Sequence, residues 1–280
     1  MKVYSKISDF KIEIDRLKFQ GKTIGFVPTM GALHDGHISL VKSSENECDI
    51  TVVSVFVNST QFNNLEDLKK YPRTIDEDLL LLESTNCSLV LVPSADDVYS
   101  SEFKLSPLDL GILENVMEGK HRPDHFDGVV NVVKRFFEII RPDKAYFGLK
   151  DFQQVAVIKH MVKSFVLPIE IVAGPTLRES SGLAMSSRNK RLSSKEKYLS
   201  LIIYNTLLLA KECSTILTPE DVIKRCITFF NLGSLQLEYF EIVNPLSLES
   251  LSKTWVKGAT ACIVGKCGDV RLIDNMQLKQ

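Results

Sequence analysis

The most constraining feature of this sequence is the alternation of short apolar runs with helix-like segments over residues 1–175. The runs are rich in Val, Ile and Phe, and several are apolar on both faces, as buried parallel strands are. Strand–helix–strand alternation with right-handed crossovers predicts an α/β fold with a doubly wound parallel sheet. We expect strands at Thr23–Val27, Ile50–Val57, Leu89–Val92, Ala145–Phe147 and Ile169–Val172, and helices at Ile38–Glu47, Ile75–Ser84, Val129–Ile140 and Phe152–Phe165.

The pattern changes after Pro175, where a polar loop, Arg178–Asn189, leads into a different order of elements. Two helical stretches come first and three strand-like runs follow, which predicts a smaller α+β carboxyl-terminal domain. We therefore expect two domains, residues 1–176 and 177–280, with the polar loop as a hinge. The expected helices are Lys195–Cys213 and Pro219–Asn231, and the expected strands are Leu237–Val243, Ala259–Val264 and Val270–Ile273.

Composition narrows the possible functions. The 280 residues carry a net charge of −1 with no basic stripe, which argues against a nucleic-acid-binding protein. The amino terminus lacks the apolar core of a signal peptide, and no apolar run approaches the roughly 20 residues that cross a bilayer. Six scattered cysteines without a C-x-x-C pair are typical of reduced thiols. These features predict a cytoplasmic protein without a membrane partner.

The segment Phe26–His37 (FVPTMGALHDGH) contains the first indication of chemistry. It runs from the first predicted strand into a helix, where free backbone N–H groups and a partial positive charge attract anions. His34 and His37 are three residues apart and would point to one side. Two imidazoles beside exposed N–H groups suit a triphosphate, and the pattern is not that of a P-loop. A metal pair, a surface pair or two core histidines are the alternatives for this segment alone.

Three further segments carry polar groups that could serve a ligand. Asn58 and Gln61 follow the second strand and could hold hydroxyl and carboxylate groups, or merely cap a turn. Gly148–Asp151 again passes from a strand into a helix and includes the cation Lys150. The hinge loop contains Ser186, Ser187 and Arg188, which could clasp phosphates or simply start a helix. Three segments at strand ends and one at the hinge together indicate a nucleotide site.

At this point the residues resemble the pantothenate synthetase (pantoate–β-alanine ligase) family, within the wider nucleotidyltransferase superfamily that shares an H-x-G-H motif. The matching motifs occur in order from about residue 20 to 195, whereas the carboxyl-terminal third matches mainly in length and pattern. The resemblance implies a Rossmann-like sheet domain and a smaller domain closing over the ATP site. The motifs are Pro28–His37, Phe56–Asn58, Gln61–Phe62, Tyr71–Thr74, Arg122–Pro123, His125–Phe126, Gly148–Asp151 and Met185–Asn189.

The resemblance also implies a reaction. The carboxylate of (R)-pantoate attacks the α-phosphorus of MgATP, and the pantoyl adenylate then reacts with the amine of β-alanine to release AMP and pantothenate. Magnesium would be bound mainly through the ATP phosphates, with no metal ligand assigned to the protein. Asp76, Glu77 and Asp78 are weak candidates to approach the ion. A homodimer is the implied assembly.

Site residues carry over from the family position by position. His37, in the family's proton-donor position, His34, Lys150 and Arg188 are the implied catalytic residues. Pantoate would be bound by Gln61, Gln154 and Asn58, and β-alanine by Gln61. ATP would be bound by Met30, Gly31, Ala32, Leu33, His34, Asp35, Gly36, His37, Gly148, Leu149, Lys150, Asp151, Leu177, Met185, Ser186, Ser187 and Arg188.

Five positions depart from the family pattern without removing a proposed catalytic group. Ser59 replaces a proline, Leu149 a glutamate, Asp124 a glycine, Asn131 a threonine and Ser181 an aspartate. They bear on affinity and loop closure rather than on the reaction class.

Two rival functions remain open on the sequence alone. One is a nucleotidyltransferase for a phosphate-bearing substrate, which would need extra Arg or Lys where this chain has Gln61 and Gln154. The other is a nucleotide-binding module without activity, which would not need to retain His37, Lys150 and Arg188 together.

Overall fold

A six-stranded sheet organises the first part of the chain in the computed structural model, which describes residues 1–99, 103, 105 and 107–279. All its strand pairs are parallel, and the order is β1-β4-β3-β2-β5-β6. The strands are β1 (Lys2–Tyr4), β2 (Ile24–Thr29), β3 (Ile50–Val55), β4 (Leu89–Leu91), β5 (Lys144–Gly148) and β6 (Glu170–Gly174).

The strand order reverses between β2 and β5, which makes this the topological switch point of the sheet. Strand β2 pairs with β3 over six positions, from Ile24↔Ile50 to Thr29↔Val55. Its register with β5 covers only Gly25↔Lys144 and Phe26↔Ala145. The two strands therefore separate before their carboxyl ends, and ligands of such sheets bind in the crevice that this separation creates.

Helices cover both faces of the sheet. Successive residues of a strand point to opposite sides, so the apolar strands present side chains to helices on each face. On one face, Phe26 packs against Phe136, with ring centroids 5.9 Å apart. On the other, Val27 shares a buried cluster with Ile38 and Leu82. The helices up to residue 164 are α1 (Ile7–Phe19), α2 (Asp35–Glu47), α3 (Leu65–Lys70), α4 (Ile75–Glu83), α5 (Ala95–Val98), α6 (Met117–His121), α7 (His125–Ile140) and α8 (Phe152–Ser164), with 3-10 turns at Ser59–Gln61, Gly111–Glu114 and Leu149–Asp151.

The rest of the chain forms a three-stranded antiparallel sheet with two helices. Ser193 and Glu196 form a capping box at the start of α9, and Thr218 caps α10, whose first residue is proline. Phe230 and Ile263 are fully buried in the core of this part. Its elements are the 3-10 helix Ser187–Arg191, α9 (Ser194–Cys213), α10 (Pro219–Phe230), β7 (Gln236–Val243), β8 (Thr260–Cys267) and β9 (Val270–Gln277), with sheet order β7-β8-β9.

Contacts group the chain into two compact units. The first unit comprises Met1–Leu110, Arg122–Leu149 and Gln154–Pro175, and the second comprises Gly111–His121, Lys150–Gln153 and Thr176–Gln280. The second unit thus takes in two short stretches that precede Pro175, which sequence patterning did not indicate. The domain boundary at residues 176/177 stays a prediction.

The predicted fold class is confirmed: a Rossmann-like α/β sheet is accompanied by a smaller α+β part. Among the described strands and α-helices, five were not expected: β1, α1 and the short helices α3, α5 and α6. Strand β1 is short and largely exposed, so it lacks an apolar signature. Helix α1 buries Ile7, Phe10, Ile14 and Leu17, a helical spacing that is present in the sequence. Helix α7 begins at His125 rather than at Val129. No helix among the described residues is both long and apolar enough to cross a bilayer.

Candidate active site

The loop that leaves β2 at the switch point has an unusual backbone. Gly31 and Ala32 both have positive φ angles, +77° and +48°. A side chain at Gly31 would be strained, and its Cβ would lie 3.0 Å from Asp78 Oδ2 and 3.1 Å from Val55 Cγ1. Thr29 fixes the start of the loop, since its hydroxyl donates to the Ser54 carbonyl at 2.7 Å and accepts from the Gly31 N–H at 3.2 Å. The loop is therefore held in one shape before any ligand binds.

Asp78 anchors the same loop from the first turn of α4. The carboxylate is 2% exposed and accepts the Ala32 N–H at 2.9 Å and the Leu33 N–H at 2.7 Å, one on each oxygen. The Thr74 hydroxyl adds a bond of 3.2 Å. Hydrogen bonds to a buried charged group are among the stronger ones in proteins. Asp78 thus compensates the strain of the left-handed residues.

His34 and His37 lie side by side at the start of α2, with their rings tilted by 38°. Their ring centroids are 4.1 Å apart, and His34 is the N-cap of the helix. The His34 Nδ1 accepts the Gly36 N–H at 3.1 Å, and the His37 Nδ1 accepts the His34 N–H at 3.3 Å. A nitrogen that accepts an N–H cannot carry a proton, so each neutral ring is protonated at Nε2. Both histidines therefore have an Nε2–H donor on the ring edge remote from these backbone bonds.

These bonds change the expected role of the backbone in this segment. The N–H groups of six residues already have partners within the loop, the first turn of α2 or Asp78. The prediction that they are free for phosphate is therefore wrong for these six. The imidazoles of His34 and His37, rather than these N–H groups, are therefore the candidates for contacting a phosphate, and the other residues of the segment could line the rest of a nucleotide. The six residues are Gly31, Ala32, Leu33, His34, Gly36 and His37.

Asn58 and Gln61 lie together just after β3, the second of the strands that the sequence predicts. Asn58 is 1% exposed, and its Nδ2 donates to the Gly128 carbonyl and to Gln61 Oε1, both at 3.1 Å. Gln61 Nε2 in turn lies 3.0 Å from Met30 Sδ. The structure therefore brings Met30, Asn58 and Gln61 into one cluster, in which Asn58 supports Gln61.

The start of α7 packs tightly against the Gln61 backbone. His125 Nδ1 lies 2.7 Å from the Gln61 carbonyl, and an Arg122 N–H reaches the same oxygen at 3.4 Å. A Cβ at Gly128 would lie only 2.5 Å from the Thr60 carbonyl oxygen. The helix start and the loop are thus packed as closely as a glycine allows. Asp124 has a left-handed φ of +63° immediately before α7, at a position where the family resemblance implies a glycine.

The other residues predicted in the first unit lie near the end of β5 and along the helix that follows. Gly148 is the last residue of β5, and Leu149 begins the 3-10 turn Leu149–Asp151. Gln154 is half-buried in the first turn of α8. Asp35 is exposed at the start of α2.

Lys150 and Asp151 belong to the second unit, where β9 holds the Lys150 backbone. The Lys150 ammonium lies 3.4 Å from both Asp151 carboxylate oxygens, and the Lys150 carbonyl accepts Asn275 Nδ2 at 2.9 Å. Next to Asn275, Asp274 forms a two-bond ion pair with Arg178 at 2.5 and 3.0 Å. Burial raises the pKa of the Asp274 carboxyl, while Arg178 acts in the opposite direction. Both the ammonium group and the backbone carbonyl of Lys150 therefore have polar partners within the second unit.

The predicted hinge loop is an ordered turn in the second unit. Leu177 pairs with Met185 through a backbone bond of 3.0 Å, and Arg178 and Ala184 form an antiparallel bridge. Ser186 caps the following 3-10 helix by accepting the Arg188 N–H at 3.3 Å. The alternative interpretation of this motif, a helix start, thus holds for the backbone, and Ser187 and Arg188 lie in the first turn.

Sequence analysis did not identify several residues that hold the predicted groups within each unit. Asp78 was considered only for magnesium, yet it anchors the β2 loop. Tyr99, whose hydroxyl bonds Asn58, and the Asp274–Asn275 pair were not considered at all. Each of these residues contacts a partner that is distant in the sequence. In the sequence, Asp78 is marked only as a polar residue in a helix turn that also carries apolar residues, and Asp274–Asn275 only as a polar pair within an apolar strand.

A parallel sheet that carries a paired-histidine helix start at its switch point defines the chain as a Rossmann-like α/β protein. Residues 2–277 match the family model described as pantoate-beta-alanine ligase. The chain belongs to the pantoate–β-alanine ligase family.

Individual relatives agree with this assignment. The chain is 47% identical over 280 residues to the pantothenate synthetase of Porphyromonas gingivalis, covering 99% of each protein. It is 45% identical over 282 residues to that of Flavobacterium psychrophilum, covering all of both. The crystal structure of pantothenate synthetase from Thermus thermophilus superposes with a TM-score of 0.94 at 35% identity over both full chains.

One structural relative carries ligands. The pantoate-beta-alanine ligase of Francisella tularensis was crystallised with beta-gamma ATP and beta-alanine. It is similar to this chain at a TM-score of 0.83 and 34% identity, covering 99% of this chain and 98% of the relative.

Proposed function

We infer that this chain joins (R)-pantoate to β-alanine in an ATP-dependent reaction that forms pantothenate, a step of coenzyme A biosynthesis. The reaction proceeds through pantoyl adenylate and releases AMP and pyrophosphate. The observation that carries this inference is the pair of histidines whose Nδ1 atoms accept backbone N–H groups at the switch point of a sheet, in a chain that matches the ligase family from residue 2 to 277.

In the first step a pantoate carboxylate oxygen bonds to the α-phosphorus of ATP while the bond to the bridging oxygen of pyrophosphate breaks. Negative charge then grows on the leaving pyrophosphate, and fixed donors aimed at that charge lower the barrier. His34 and His37 are suited to this task because their Nδ1 atoms are occupied and each Nε2–H can only donate. We assign His37, at the family's proton-donor position, as a hydrogen-bond donor to the phosphates through Nε2–H, with His34, Lys150 and Arg188 as further phosphate ligands.

Pantoate recognition is assigned to neutral amides. Gln61 and Gln154 would hold the acid, with Asn58 supporting Gln61 from its buried position. Because an amide adds no charge, it can bind a carboxylate without neutralising the nucleophile. The rival substrate class, a phosphate-bearing molecule, would call for cations at these two positions.

In the second step the β-alanine amine attacks the acyl carbon of the adenylate, and the bond from that carbon to the AMP oxygen breaks. Gln61 is assigned to β-alanine as well as to pantoate. No enzyme nucleophile takes part, since the adenylate is itself the activated acyl group.

The remaining ATP contacts are proposed from the family positions. They divide into the β2 loop with the start of α2, the turn after β5, and the ordered turn of the second unit. These residues are Met30, Gly31, Ala32, Leu33, Asp35, Gly36, Gly148, Leu149, Asp151, Leu177, Met185, Ser186 and Ser187.

Magnesium is proposed to enter with ATP, bound mainly through phosphate oxygens. Mg²⁺ takes oxygen ligands and usually keeps several waters. Asp78 does not fit as a ligand, because both of its oxygens accept backbone N–H groups. When bound, the ion would neutralise part of the triphosphate charge. A homodimer and a cytoplasmic location complete the proposal.

A mass-balance assay tests the function. Purified protein given ATP, magnesium, pantoate and β-alanine should produce AMP, pyrophosphate and pantothenate in equal amounts. Pantoate-dependent ATP–pyrophosphate exchange without β-alanine should report the first step alone. ATP binding without turnover would favour the non-catalytic module, and exchange that does not depend on pantoate would favour the rival nucleotidyltransferase.

The Lys150→Ala variant tests the phosphate site. We expect exchange to fall by about 10²–10³-fold, the loss typical of removing one preorganised donor. Lys253→Ala, at an exposed lysine of the same unit, is the control and should retain full exchange. Near-normal exchange in Lys150→Ala would show that this ammonium does not act on the phosphates.

A further inference from the structure

Tyr99 lies outside the sequence motifs that resemble the ligase family, yet its hydroxyl contacts the cluster of Asn58, Thr60 and Gln61. The Tyr99 hydroxyl donates to Asn58 Oδ1 at 2.6 Å and lies 3.3 Å from the Thr60 hydroxyl. Its ring packs against Phe56 and Phe103, with centroids 6.3 and 5.3 Å away. Tyr99 follows α5 directly, so it approaches Asn58 from an element that carries no predicted site residue.

The orientation of the Asn58 amide follows from the backbone groups around it. The Gly128 carbonyl can only accept, so the amide group 3.1 Å from it must be the NH₂. The Thr60 N–H can only donate, so the atom 3.3 Å from it must be the oxygen. The Tyr99 hydroxyl faces this oxygen and must therefore donate its single hydrogen to it.

The orientation of Gln61 follows in turn. Asn58 has two amide hydrogens, and one is directed at the Gly128 carbonyl while the other is directed at Gln61 Oε1. The Gln61 oxygen is thereby turned toward Asn58, and its NH₂ is turned toward Met30. Gln61 can thus offer a ligand hydrogen-bond donors rather than an acceptor, as a carboxylate or hydroxyl oxygen of an acid requires.

Tyr99 makes the shortest of the three hydrogen bonds that hold the Asn58 oxygen, at 2.6 Å, and the other two come from the Thr60 N–H and hydroxyl at 3.3 and 3.0 Å. Burial raises the pKa of the Tyr99 hydroxyl, so the group keeps its hydrogen at neutral pH. Asn58 is 1% exposed, so water cannot easily replace a lost donor.

We propose that Tyr99 is a positioning residue for the acid substrate, which acts through Asn58 to hold the Gln61 amide with its NH₂ toward the ligand. This rests on the proposed function, in which Gln61 binds pantoate. Tyr99 itself does not touch the substrate. Its removal should therefore weaken acid recognition and leave ATP recognition intact.

Tyr99→Phe is the direct test, since phenylalanine keeps the ring contacts and removes only the hydroxyl. We expect the KM for pantoate to rise about 5- to 20-fold, the effect of losing one buried hydrogen bond. The KM for ATP should change less than twofold. Tyr198→Phe makes the same change at a tyrosine that is 74% exposed and should match the unmodified protein.

A double-variant comparison tests whether Tyr99 acts through Gln61. In a Gln61→Ala background the partner amide is absent, so adding Tyr99→Phe should change the pantoate KM by less than twofold. Additive effects of the two substitutions would overturn the proposed route. An unchanged pantoate KM in Tyr99→Phe, or an equal rise in the KM values of pantoate and ATP, would overturn the proposal.

Two further measurements cover the cases in which Tyr99→Phe does not fold or the unmodified protein is inactive. If circular dichroism shows that Tyr99→Phe does not fold, Thr60→Val takes its place, because the Thr60 hydroxyl also reaches Asn58 Oδ1, at 3.0 Å. A selective rise in the pantoate KM of Thr60→Val would support the proposal, and no change would refute it. If the unmodified protein forms no pantothenate, the proposed function fails, whereas normal turnover with an unaffected Tyr99→Phe variant refutes only the role of Tyr99.

Discussion

Replacing Asp78 with asparagine should destabilise the first unit and damage the proposed ATP site without changing the size of the side chain. The carboxylate accepts the Ala32 and Leu33 N–H groups at 2.9 and 2.7 Å. Asparagine keeps one acceptor oxygen, but its NH₂ would face the other N–H. One hydrogen bond is therefore lost and the other loses its charge.

The magnitude follows from these two bonds. Hydrogen bonds to charged groups contribute about 1.5–3 kcal/mol, and an unsatisfied buried donor costs about 1–3 kcal/mol. We expect Asp78→Asn to lower the free energy of unfolding by about 2–4 kcal/mol. The left-handed residues Gly31 and Ala32 would lose their anchor, so the loop before His34 should relax and the KM for ATP should rise.

Asp76→Asn is the matched control for this prediction. Asp76 is exposed in the same first turn of α4, so the control includes the loss of a carboxylate near a helix amino terminus, about 0.3–1 kcal/mol. Unfolding should be followed by circular dichroism, because the single tryptophan, Trp255, lies in the second unit. A difference between the two variants of less than about 0.5 kcal/mol would refute the anchoring role of Asp78.

Two further predictions concern other contacts of the fold. Burial raises the pKa of the Glu238 carboxyl, but hydrogen bonds and charge from Arg271 and Lys266 lower it more, so its pKa lies below the ordinary value. The Glu238 carboxylate therefore stabilises the fold above about pH 4.3, and this contribution is lost as the pH falls through the lowered pKa. The difference in unfolding free energy between the unmodified protein and Glu238→Gln should therefore be largest near pH 6 and shrink below about pH 4.3; a constant difference would contradict this. Gly128→Ala should cost about 1–3 kcal/mol and raise the pantoate KM, because the new Cβ would lie 2.5 Å from the Thr60 carbonyl oxygen. Gly148→Ala, where a Cβ meets nothing within 4 Å, is the control for stability, and equal losses in the two variants would argue against the close packing.

Sequence patterns were informative where structure depends on neighbouring residues. The runs of Val, Ile and Phe identified five strands of the parallel sheet because a buried strand needs apolar side chains on both faces. Local motifs also identified the histidine pair, since residues three apart on a helix turn lie side by side. Helix α1 was missed although its four buried residues have helical spacing, because charged residues interrupt them.

By itself, the sequence determined the fold class, the position of the β2 loop and the identity of the groups that could meet a nucleotide and an acid. Only the tertiary structure decided how those groups are held. Asp78 reaches Ala32 across 46 residues, Tyr99 reaches Asn58 across 41, and Asn275 reaches Lys150 across 125. The physical reason is that a hydrogen bond between distant residues depends on distance and direction in the folded chain, and neither leaves a periodic trace in the order of amino acids.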